Sequence, residues 1–116
     1  MMQSDPSLPR VLRVVHGALT GAVAAGLLQA CGSGYVAPPV TPQLAGVSAS
    51  PVHQLERGFV IHQAQCAKCH PFIDPADYGI EELRREIMPV MAAKSKLDPE
   101  DERAVLAYLL AARELP

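Results

Sequence analysis

Between residues 53 and 116 apolar positions recur every three or four residues in three stretches, and no stretch alternates with the period of two that a half-buried strand needs. The first, Gln54 to Gln65, sets Leu55, Phe59 and His62 on one face and runs directly into Cys66. The second begins near Ile80 with Glu81 and Glu82 in its first turn, where the helix dipole favours acids, and carries Ile80, Leu83, Ile87 and Met91 as a stripe. Pro89 interrupts it, because an interior proline lacks a donor and crowds the carbonyl four residues back; a kink or an end near Met88 is expected. The third has the clearest start: Asp98 as N-cap, Pro99 at the first helical position and acids in the first turn, with Val105, Tyr108, Leu109 and Ala112 as its face. The pattern predicts an all-α domain of about three helices.

The first half of the chain reads differently. Arg10 and Arg13 precede seventeen residues, 14–30, without a formal charge. That run is short for a bilayer span, contains three glycines, and has the form of an export signal removed after targeting. Residues 1–30 are therefore expected to be a signal peptide. Residues 31–52 hold four prolines, no charge and no apolar period, which predicts a flexible Pro/Gly/Ser-rich tether. The folded domain is expected over residues 53–116.

Composition narrows the function. The chain has 116 residues, with ten Lys and Arg against twelve Asp and Glu, so it has no basic field to hold nucleic acid. The 64 residues expected to fold carry eight basic and eleven acidic side chains, a formal net of −3. A domain of that size struggles to bury a sufficient core and calls for a disulfide, a metal or a cofactor. Attention falls on the three cysteines.

Two of them stand in Cys66-Ala67-Lys68-Cys69-His70, the CxxCH string of c-type haem attachment. Two thiols at this spacing on one tight turn can add to two vinyl groups on one porphyrin edge, and the next residue, His70, can reach the iron from the proximal side. A thioredoxin-type dithiol would follow a strand in a larger α/β unit, which the pattern lacks. A structural zinc site needs a further ligand, and beyond His70 there is neither Cys nor His. A disulfide across two residues would close almost no loop.

Over roughly His53 to Arg113 the chain resembles small single-haem, class I-like c-type cytochromes. Gly58 lies eight residues before Cys66, and Leu106-x-Tyr108-Leu109 approximates the family's C-terminal helix motif. The resemblance implies a cytochrome c-like fold around one covalent haem c, with the two terminal helices crossing where Gly58 and Tyr108 pack. His62 departs from it, standing where the family has an aromatic, and reads as a partly exposed or packing residue. The resemblance also implies a distal methionine. Met91 continues the Ile80, Leu83, Ile87 stripe and is favoured; Met88, preceding Pro89 as in other class I members, is the alternative. Phe72, Ile73, Ile80, Leu83, Ile87, Leu106 and Leu109 are candidate haem walls, and Tyr78 could reach a propionate or sit in a turn.

The run ending Leu28-Gln29-Ala30-Cys31 resembles a bacterial lipoprotein signal, which implies acylation of Cys31 and a lipid membrane as a partner. Gly32 after the cysteine favours the outer membrane over the inner, with the domain on the periplasmic side. Together these readings imply an electron carrier rather than an enzyme, passing one electron at a time between a donor and an acceptor redox protein. A haem subunit of a larger oxidoreductase, or a small-ligand sensor if no methionine ligates, are the alternatives.

Overall fold

The computed structural model describes residues 34–116, which form one compact helical unit with no strand among the described residues. The expected signal peptide and Cys31 lie outside them. The elements are α1 (Pro42–Gly46), α2 (Val52–Gln65), α3 (Ile80–Glu82), α4 (Met88–Ser95) and α5 (Pro99–Arg113), with 3-10 turns at Cys66–Lys68 and Pro75–Asp77 and a π turn at Leu83–Ile87 joining α3 to α4. The all-α expectation holds.

The main packing is α2 against α5. They cross at Gly58, where a Cβ would stand 2.6 Å from the Ala104 carbonyl carbon and 2.8 Å from Tyr108 Cβ. Only a residue without a side chain lets the backbones approach this closely. Leu55, Val105 and Tyr108 are sealed beneath the crossing, and Phe59 meets Tyr108 edge-on with ring centroids 5.5 Å apart. α5 begins as its sequence dictates: the Asp98 carboxylate accepts from Glu100 N–H at 2.9 Å and Asp101 N–H at 2.8 Å. These backbone bonds hold the Asp98 carboxyl below its ordinary range. On the outside, Arg57 bridges from α2 to Glu100 and Asp101, an exposed pair of contacts worth little in water.

One expectation needs correction, the flexible tether. Residues 35–46 pack onto the helical core, with Leu44 fully buried, Ala37 6% exposed, and Thr41 capping α1 through its hydroxyl, which accepts from Leu44 N–H at 3.2 Å. Tyr108 donates its hydroxyl to the Pro38 carbonyl at 2.7 Å. The segment lacks a helical or strand period because it contributes isolated anchors to a surface made by other elements. Helix α2 also starts at Val52, inside the stretch assigned to the tether.

The break expected near Met88 is present as a change of winding: the π turn ends at Ile87 and α4 begins at Met88 with Pro89 in its first turn. The helical path continues through it to Ser95, because the turn before it is π-wound, with Met88 N–H donating to the Leu83 carbonyl five residues back. A wider turn accommodates a proline that an α turn would exclude. Helix α4 then stops at Lys96, which adopts φ 54° and ψ 41°. Lys96 N–H donates to Ala93 O and Leu97 N–H to Ala92 O, a Schellman closure built without glycine.

Candidate functional site

Helix α2 ends by presenting His62 and, one turn on, Cys66. The 3-10 turn Cys66–Lys68 then tightens the chain, with Cys69 N–H donating to the Cys66 carbonyl at 3.4 Å. Both thiols are free; Cys66 is half-buried and Cys69 exposed. Burial, reinforced by the neighbouring Cys69, pushes the Cys66 thiol above its ordinary pKa. His70 follows, exposed, its Nδ1 2.7 Å from the Pro71 carbonyl. A carbonyl only accepts, so Nδ1 is the donor in this contact and Nε2 is the ring nitrogen it leaves unengaged, as in the second-contact arrangement of a ligating imidazole.

These three residues line a mostly apolar cleft of about 330 Å³, within the range of cofactor sites. Leu83, Ile87, Met88 and Met91 line it as well, together with Val105 and Leu109 of α5. The five residues singled out in the sequence around haem chemistry, Cys66, Cys69, His70, Met88 and Met91, thus line a single cleft. Met88 is 2% exposed and belongs to the core cluster with Leu44, Leu55 and Val105, whereas Met91 is half-buried. The loop 71–79 is pinned at its C-terminal end: Arg113 Nε donates to the Tyr78 carbonyl at 3.1 Å, and Gly79 N–H donates to Glu82 Oε2 at 3.2 Å.

Of the expected apolar walls, Ile73, Leu83, Ile87 and Leu109 line the cleft. Phe72 and Leu106 instead pack against the core, and Ile80 is 42% exposed. Tyr78 lines the cleft. Lys68 faces solvent and donates to Gln65 Oε1 at 2.8 Å.

His62 is a packing residue, one of the two readings its sequence position left open. It is 5% exposed, stacked on Phe72 at 4.5 Å and tilted against Tyr108 at 5.5 Å, and it lines the cleft. Burial, and secondarily the nearby His70, brings its pKa down to about 4. It is a neutral ring, and its buried Nδ1 has no protein partner. Its position four residues before Cys66, hence on the same helical face, was the available signal for its place in the cleft. The sequence placed Val105 on the buried face of the last helix without assigning it to the cleft, and gave no signal for Pro75, Glu82 and Lys94, which also line it.

Among the described residues no three His, Cys, Asp or Glu side chains group to hold a bare metal ion, and no helix is long and apolar enough to cross a membrane. No protein-family model, curated protein or solved structure matches the chain.

Proposed function

We propose that this chain is a single-haem c-type cytochrome, tethered by an acylated Cys31 on the periplasmic side of a bacterial membrane, the outer membrane favoured, and that it carries one electron at a time between a donor and an acceptor protein. The observation that carries the reading is that one apolar cleft is lined by two free thiols, an Nδ1-anchored imidazole and two methionines.

The residues fit haem c by their chemistry. Cys66 and Cys69 would form the two thioethers; the exposed Cys69 and the half-buried Cys66 open onto the same cleft. His70 would be the proximal ligand, its orientation fixed through the Pro71 carbonyl. Met91 would be the distal ligand. Its partial exposure in the cleft supports it over Met88, which is committed to the core as packing. Leu83, Ile87, Val105 and Leu109 would keep water from the iron. When bound, the haem supplies a ferric–ferrous couple, and thioether ligation raises its potential relative to a second histidine.

The test is optical. The haem-loaded domain should show the weak near-infrared sulfur-to-iron band when oxidised, and Met91→Ala should abolish it while Met88→Ala keeps it. Loss in Met88→Ala alone transfers the ligand role to Met88. Absence of the band in the parent, together with carbon monoxide binding, overturns the electron-carrier reading in favour of a small-ligand sensor.

A further inference from the structure

The packed segment 35–46 changes what an anchor at Cys31 can do. Were residues 31–52 free, the chain could extend up to roughly 75 Å from the membrane. Residue Tyr35 is already part of the folded unit, since it packs against the core and its hydroxyl is buried. Burial, with Asp74 nearby, pushes that hydroxyl up to about 12. The path from Cys31 to Tyr35 covers four residues, a span of at most roughly 14 Å.

The point of attachment is beside the cleft. Tyr35 shares a shallow surface depression with Phe72, Ile73, Asp74 and Asp77, and Ile73 also forms part of the cleft wall. Ile73 in this depression is 45% exposed, and Val36, next to Tyr35 in the chain, is 82% exposed.

We infer that residues 35–46 are a strap that holds the domain against the membrane bearing Cys31, with the Ile73 edge of the cleft nearest the lipid, so that the electron partner is a protein embedded in that membrane rather than a freely diffusing one. The inference rests on the acylated Cys31 of the proposed function. Three anchors fasten the strap: the Tyr108 hydroxyl on Pro38 O, the fully buried Leu44, and the buried Ala37. A domain roughly 30 Å across on a leash of this length samples only the layer next to the bilayer. Within that layer its effective concentration towards a membrane partner is high, and it falls steeply as the leash lengthens.

The test uses the full, haem-loaded, processed chain in vesicles and in native membranes. Mass spectrometry first establishes acylation of Cys31. A spin label at Val36→Cys should relax strongly when nickel is chelated to lipid headgroups, and inserting twenty Gly/Ser residues between Gly34 and Tyr35 should cut that effect at least threefold. The same insertion should slow electron exchange with native membranes about tenfold and leave reduction by a small soluble dye unchanged. The amides of Leu44 and Ala45 should stay protected from hydrogen exchange in both forms. Acylated protein with a weak nickel effect, an insertion that leaves membrane exchange unchanged or faster, or strap amides exchanging at unfolded-chain rates overturns the inference. An unmodified Cys31 overturns it through the anchor instead, and the mass spectrum tells the two failures apart.

Discussion

At the scale of single residues, Gly58 is where the fold has least freedom. A methyl group there would overlap the Ala104 carbonyl and Tyr108 Cβ, both held in a helix. Gly58→Ala should therefore cost more than about 3 kcal/mol in chemical denaturation, beyond ordinary overpacking, because backbone must move. Lys96 is the opposite case, a side chain in left-handed backbone where glycine would sit without strain. Lys96→Gly should stabilise the domain by about 0.5–1 kcal/mol, the relief of strain exceeding the extra unfolded-chain entropy. His62 gives a pH dependence with a definite sign. Its folded pKa of about 4 lies below the ordinary value of 6.5, so between those values the unfolded chain binds the proton and the folded one does not. Stability of the haem-free domain is full above pH 6.5 and is lost as pH falls through 6.5 towards 4, by on the order of 2–3 kcal/mol. His62→Phe should flatten that slope in urea titrations at pH 7 and pH 4.5.

Among the elements, those with a strong local signal were legible in sequence. Helix α5 announced its start through Asp98 and Pro99 and its buried face through Val105, Tyr108, Leu109 and Ala112, all of which are buried. Helix α2 was legible to within two residues at its start and at the stated residue at its end. Pro89 marked the boundary near Met88, where α4 begins, but the π turn at Leu83–Ile87 that precedes it leaves no mark in the apolar spacing. Segment 35–46 was missed for a related reason. Its helix is five residues long, and Pro38, Pro39 and Pro42 break up the stretch that carries its anchors, Ala37 and Leu44, so their burial comes from packing on the helical core and not from a continuous local helix. The structural reading makes a sharp prediction there. Leu44→Ala should cost about 2–5 kcal/mol in a thermal or urea melt, as for a fully buried leucine, where a true tether would give no change.

On the scale of the whole molecule, the cleft was legible in its chemistry and not in its walls. CxxCH and the methionines of one stripe identify themselves by residue type and spacing, whereas Val105, Pro75 and His62 reach the same space only once α2, α5 and the intervening loop have met. That meeting joins the beginning and the end of the folded unit: α2 closes chiefly on α5, and the strap closes on Tyr108 and its neighbours in α5 as well. A chain delivered N-terminus first has nothing for α2 or the strap to bury against until Arg113 arrives. Throughout that interval Cys66 is as open as Cys69, which stays exposed after folding. The order of synthesis thus sets how long Cys66 is fully accessible, and a C-terminal truncation within α5 would keep it so.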